Sequence, residues 1–266
     1  MRRLRTSIAG GIAAGLLSVA TLLGATGAQA AGSGPVPPAQ EWSHGGVNSF
    51  TSMFKTYDRA ELQRGFQVYK EVCSACHGMR HLSYRNLEAL GFSEEEVKAI
   101  AAQYEVADLN DAGEPITRPA VPADRFKEPF ANKKAAAAAN NGKAPPDLSL
   151  IVKARPHNED YIYALLTGYV EPPEGFQVPD GSYYNAYYPG HVIAMAQPIY
   201  PDGITFADGT PATVEQQARD VTAFLAWAAE PHLETRREIG VMVILFLIVF
   251  TGLLYAAKRR LWADVH

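Results

Sequence analysis

Cys73-Ser74-Ala75-Cys76-His77 reads C-x-x-C-H. Two thiols at this spacing reach the two vinyl groups of one porphyrin, and the adjacent imidazole then lies against the iron. The pattern is the attachment signature of a c-type haem. The 266-residue chain has only these two cysteines. A zinc site would need two more ligands, and no other thiol is available to supply them. A dithiol redox pair is the remaining rival. It predicts labile thiols and no visible absorbance, and it does not require a histidine after the second cysteine.

Upstream of the motif, Asp58-Arg59-Ala60-Glu61 has a capping-box pattern, and Leu62, Phe66, Tyr69 and Cys73 follow at helical spacing. The motif is therefore expected at the end of an amphipathic helix. Downstream, Ser93-Glu94-Glu95-Glu96 is a second capping box, opening a helix to about residue 104. Residues 105–157 read mostly as loop, with a helical possibility over 133–139. A short helix is expected over 158–166, stopped by Gly168. Residues 171–211 are rich in Pro, Gly and Tyr and read as irregular. Thr213, with Gln216 in the reciprocal position, caps a last soluble helix that Pro231 ends; Val214, Ala218, Val221 and Leu225 form its apolar face. The sum is a mainly α domain wrapped around a haem, with long loops. A buried porphyrin would supply the core that such loops lack.

The two ends of the chain read differently. Arg2, Arg3 and Arg5, an apolar run over 8–24 and Ala28-Gln29-Ala30 describe a cleaved signal peptide over 1–30, with an uncleaved anchor as the alternative. Near the other end, residues 240–257 contain no charge. At ~1.5 Å per residue they span roughly 27 Å, just enough for a hydrocarbon core of about 30 Å. Arg236 and Arg237 precede them; Lys258, Arg259 and Arg260 follow. The expected plan is a periplasmic haem domain over 31–235, a transmembrane anchor over 236–258 and a short cytoplasmic tail over 259–266. A buried core helix is the alternative to the anchor.

Residues 31–235 hold 26 Asp and Glu against 16 Lys and Arg, a net −10 that the whole-chain −4 conceals. An acidic exported domain argues against nucleic acid as a ligand and for a basic protein partner. Glu94, Glu95, Glu96, Glu105, Asp108, Asp111 and Glu114 lie in one stretch opposed only by Lys98. That stretch is either a solvated face or a docking surface for a basic partner.

With His77 on one side of the iron, the opposite side is open or ligated. Met53, Met79, Met195 and Met242 follow the signal. Met242 lies in the apolar segment, Met79 is only two residues from His77, and Met53 precedes the first helix. Met195 sits far downstream, in a stretch stiffened by Pro198, and is favoured on spacing; a gap-filling core methionine is the bland reading. His191 is its serious rival. No Ser-His-Asp arrangement, phosphate loop or second metal cluster stands out.

From about residue 42 to 262 the chain resembles the cytochrome c1 family, the haem subunit of ubiquinol–cytochrome c reductase. The resemblance rests on Glu71-Val72-Cys73-Ser74-Ala75-Cys76-His77, Ala139-Asn140-Asn141-Gly142, Pro145-Pro146-Asp147-Leu148-Ser149 and Leu165-Leu166-Thr167-Gly168-Tyr169. Further along it rests on Ala194-Met195-Ala196-Gln197-Pro198, Asp208-Gly209-Thr210-Pro211-Ala212-Thr213 and Leu225-Ala226-Trp227-Ala228-Ala229-Glu230-Pro231. It implies a cytochrome c-like haem domain plus one C-terminal transmembrane helix, with one haem c held covalently by Cys73 and Cys76 and ligated by His77 and Met195. It further implies a crevice lined by Asn140, Pro145, Pro146, Ile151, Arg155, Tyr161, Leu165, Leu166, Ile193 and Pro198, with Arg155 against a propionate. Implied partners are cytochrome b, the Rieske iron–sulfur protein and soluble cytochrome c, in a dimer of bc1 complexes in the bacterial inner membrane. Glu94, Glu95, Glu96, Asp108 and Asp111 are the candidate docking residues. Some bacterial relatives carry a further disulfide for which this chain has no cysteines. Other readings are a membrane-tethered oxidoreductase, a haem sensor with an open iron, and a haem subunit of a terminal oxidase.

Overall fold

A computed structural model describes residues 34–47 and 54–264; the expected signal peptide and Met53 lie outside them. Helix α1 (Arg59–Glu71) begins where expected: the Asp58 carboxylate accepts from the N–H groups of Ala60 and Glu61. The capping box is only half made. The Glu61 carboxylate turns away and accepts from the Ser43 hydroxyl at 2.6 Å. Helix α2 (Glu94–Ala101) makes both halves of its box through Ser93 and Glu96, and ends three residues short of 104.

The stretch expected to be loop holds a hairpin. Strand β1 (Glu105–Leu109) pairs antiparallel with β2 (Pro115–Pro119), Glu105 opposite Pro119 and Leu109 opposite Pro115. The turn is organised by Asn110, whose side-chain oxygen accepts from Ala112 and Glu114, and by Gly113 at φ 79°. Helices α3 (Lys133–Ala139) and α4 (Asn158–Thr167) follow. The Tyr-rich region is irregular apart from β3 (Tyr183–Tyr184) and β4 (Val192–Ile193), a two-residue antiparallel pair.

Helix α5 (Val214–Ala229) lies across α1 and closes the core. Thr213 caps it, but Gln216 donates forward to Asp220 instead of back to Thr213. Phe224 of α5 lies 5.7 Å from both Phe66 and Tyr69 of α1, ring centre to ring centre, with Trp227 stacked behind it. The helices touch backbone to backbone at Gly65. Asp220 is fully buried, and Arg64 holds it with Nε at 2.8 Å and Nη2 at 3.2 Å. Burial still leaves its carboxyl above the usual range, against the pull of Arg64.

Glu61 is also buried, and burial raises its carboxyl above the usual value. A raised carboxyl binds a proton in the folded chain at a pH where the unfolded chain has released it, so its contribution falls as pH rises through that window. Glu61→Gln, which retains an acceptor for Ser43, is expected to raise the melting temperature at pH 7 and to lose that advantage below about pH 4, near the unperturbed carboxyl value. Melting curves at both pH values check it.

Helix α6 (Leu233–Leu261) starts four residues after α5 ends. It is long and apolar enough to cross a membrane, and its apolar window is exposed on all sides. A core helix would be covered, so the buried alternative does not hold.

Candidate haem-binding site

Helix α1 delivers the motif as expected. Val72 ends the helix and Cys73–Ala75 form a 3-10 turn, in which the Cys73 carbonyl accepts from the N–H of Cys76 at 3.1 Å and of His77 at 2.9 Å. The Ser74 hydroxyl donates back to the Lys70 carbonyl. Both cysteines are free thiols, Cys73 half-buried and Cys76 exposed. Burial, and then the Cys76 thiol, push Cys73 up to about 12.

The His77 ring is fixed. Its Nδ1 lies 2.7 Å from the Pro146 carbonyl, which can only accept, so Nδ1 carries the proton and Nε2 keeps its lone pair. Nε2 has no hydrogen-bond partner among the described residues. Burial lowers the imidazole below its usual value, against the Pro146 carbonyl and Asp147, and so favours the neutral, ligating form. The Tyr69 phenol donates to the His77 carbonyl. A brace runs alongside: Leu148 N–H donates to the Gly78 carbonyl, Asp147 accepts from Arg80 N–H, and the Ser149 hydroxyl accepts from His81 N–H. The sequence block 145–149 thus orients the histidine.

The structure places Met79 fully inside the core, away from any ligand role. Met242 is exposed on α6. Met195 is half-buried, two residues beyond β4, and its carbonyl accepts from the Tyr169 phenol at 3.0 Å. His191 is committed elsewhere: it stacks on Tyr184, meets Phe176 edge-on, and bonds the Asn185 carbonyl through Nδ1.

Ile151, Tyr161 and Leu166 belong to the main core, with Leu165 packed against it. Ile193 is buried, and Asn140 and Pro145 are half-buried, as is Pro198. Pro146 is exposed, and its carbonyl is the one His77 uses. Arg155 makes no ion pair among the described residues; its guanidinium reaches only the Ala154 carbonyl. It lies close enough to Tyr161 to counter the upward push of burial on that phenol. A half-buried guanidinium without a carboxylate suits a propionate. Two free thiols beside a tautomer-fixed imidazole, and this cation, fit a haem.

The acidic stretch is less bare than its composition. Glu94 pairs with Lys98 at 2.6 Å, and Glu96 is used as a cap. The hairpin brings Arg118 across to Asp108 at 2.5 Å, and Arg118 also holds Asp124. Glu95 and Asp111 make no hydrogen bond or ion pair among the described residues. Sequence reasoning missed Tyr69, Tyr169 and Asn185, because their partners are set by the fold and no local pattern marks them.

Fold and site together define a haem-binding protein with one membrane-type helix among the described residues. The family model described as "Cytochrome C1 family" matches residues 48–265. The chain is 48% identical over 268 residues to cytochrome c1 of Rhodospirillum rubrum, covering 94% of this chain and 96% of that one. It is 44% identical over 265 residues to the "Cytochrome b-c1 complex catalytic subunit, mitochondrial" of Candida albicans, covering 97% and 90%. It is 46% identical over 253 residues to "Cytochrome b/c1" of Bradyrhizobium diazoefficiens, covering 86% of this chain but 36% of that protein, so the chain spans about a third of that longer relative. The chain belongs to the cytochrome c1 family, and a haem cofactor comes with that membership.

Proposed function

We propose that this chain is the electron-transfer subunit of a cytochrome bc1 complex. In this reading it takes single electrons from the Rieske iron–sulfur protein during quinol oxidation and passes them to soluble cytochrome c. The observation that carries the reading is the His77–Pro146 bond beside two free thiols, which presents an iron ligand and two attachment points together. Bound haem supplies a one-electron iron couple. Cys73 and Cys76 would hold it by thioether links and His77 and Met195 would ligate it, with the buried Ile151, Tyr161, Leu166 and Ile193 as apolar lining. Arg155 would meet a propionate.

Partnership with cytochrome b is supported by the Bradyrhizobium relative, whose name joins b and c1, and membership of the complex by the Candida relative's name. The periplasmic side is supported by the basic, signal-like N-terminus, which would export the bulk of the chain and leave the short basic tail in the cytoplasm. We place the haem domain over 31–235, the anchor over 236–258 and the tail over 259–266, in a dimer of complexes. Docking of soluble cytochrome c falls to the acidic face, with Glu95 and Asp111 contributing most because Glu94, Glu96 and Asp108 are engaged within the chain.

The decisive experiment is acid–acetone extraction of the purified full chain followed by a pyridine haemochrome spectrum. The haem is expected to stay with the protein, and Cys73→Ser/Cys76→Ser is expected to reduce that retained haem to background. Wild-type protein that yields all its haem to the solvent would end the covalent reading. Co-purification with cytochrome b and a Rieske protein separates this complex from a terminal oxidase.

A further inference from the structure

Hydrogen bonds converge from one short region onto the segment carrying Met195. Tyr169 directly follows Gly168, the cap of α4. Its phenol, half-buried, donates to the Met195 carbonyl at 3.0 Å, across 26 residues of chain. The placement of Tyr169 is itself constrained. A Cβ on Gly168 would lie 2.7 Å from the Ala164 carbonyl oxygen, 2.9 Å from the Tyr187 ring and 3.0 Å from the Asn185 side-chain oxygen, so the chain there is pressed against the loop.

Asn185 locks the other side. Fully buried, it donates from its amide nitrogen to the Leu165 carbonyl at 2.8 Å and accepts from the N–H groups of Tyr187 and Tyr188. Its backbone N–H reaches the His191 carbonyl, and the next N–H, of Ala186, reaches the Gly168 carbonyl at 2.8 Å. Beyond His191, β4 pairs with β3, with Ile193 opposite Tyr183. On the far side of Met195, Gln197 bonds the Ile199 carbonyl, and Ile199 is buried in the core. Met195 therefore lies on a short segment fixed at both ends, with Tyr169 gripping its middle.

We infer that Tyr169 is the positioning residue for Met195, its phenol holding the methionine backbone at the place from which the thioether reaches the iron. The inference rests on Met195 being the sixth ligand. A thioether is a weak, neutral ligand, and displacement of its backbone by about 1 Å is enough to lose a directed contact.

The test compares Tyr169→Phe with Met195→Leu in the full haem-loaded protein, reading carbon monoxide binding to the reduced form, the midpoint potential and the melting temperature. Tyr169→Phe is expected to keep covalent haem and to melt within a few degrees of wild type. The fraction of reduced protein that binds carbon monoxide should rise about two- to tenfold, the factor for losing one hydrogen bond, and the potential should fall. Wild-type carbon monoxide binding and potential in Tyr169→Phe, with Met195→Leu opening the iron, would overturn the positioning role alone. An unchanged Met195→Leu would remove the ligand assignment and the inference with it. If Tyr169→Phe fails to fold, Tyr169→Trp, whose indole N–H does not occupy the place of the phenol, is read the same way: carbon monoxide binding between wild type and Met195→Leu supports the positioning role, and wild-type binding and potential with an undamaged fold overturn it.

Discussion

Met195→Leu is expected to lower the haem midpoint potential by on the order of a quarter of the ~0.8 V over which axial ligands set haem potentials. Leucine keeps the volume and apolar character of the side chain, so a half-buried position loses little packing. What it loses is the sulfur lone pair. A thioether favours reduced iron, and its removal stabilises the oxidised form. The reduced variant should also bind carbon monoxide. Overall transfer to a soluble acceptor should then fall steeply, because the lowered potential removes the driving force for taking electrons from the iron–sulfur donor upstream, while the binding surface is unchanged. Redox titration of wild type and variant checks this. Equal potentials would take Met195 off the iron and return His191 to consideration, despite its engagement with Tyr184 and Asn185.

Gly65→Ala is expected to prevent accumulation of the folded protein, or to destabilise it by about 3 kcal/mol or more. Two effects oppose each other. Alanine favours a helix interior over glycine by about 1 kcal/mol. A Cβ at position 65 would however sit 2.0 Å from the Asp220 carbonyl oxygen, 2.6 Å from its carbon and 2.7 Å from the Phe224 Cβ. The first two are backbone atoms of a buried helix and cannot swing aside. Separating α1 from α5 would also open the Phe66–Phe224 contact and disturb the Arg64–Asp220 pair. The clash outweighs the propensity. For a domain of this size a loss of that magnitude corresponds to roughly 6–12 °C in melting temperature. A melting temperature equal to wild type would show that α1 and α5 are not seated as described.

The haem motif, the helix leading to it and the anchor were legible because each is local: five residues, a 3.6-residue period, a run without charge. The Ser93 box was legible for the same reason and forms completely. The Asp58 and Thr213 caps were legible as caps, but their reciprocal partners were claimed by Ser43 and by Asp220, residues that no three-residue pattern includes. The hairpin over 105–119 was hidden by its polarity and by Pro115 and Pro119; its alternating exposure and the Asn110–Gly113 turn were the only clues. The orientation of His77 was not legible at all. It depends on Pro146, 69 residues away, as Met195 depends on Tyr169. The resemblance to a family marked those segments and implied their roles at the haem, but not the hydrogen bonds that hold them in place.

The join between α5 and α6 leaves almost no slack. Leu233 is buried, the Glu234 carboxylate binds both the Tyr57 N–H and Arg59, and the Arg237 guanidinium clasps the carbonyls of His44, Gly46 and Lys55. The anchor is therefore a mast welded to its platform, not a tether. With α6 across a membrane, the platform would keep one height and one heading above the lipid, and whatever trades electrons with it would have to make the journey.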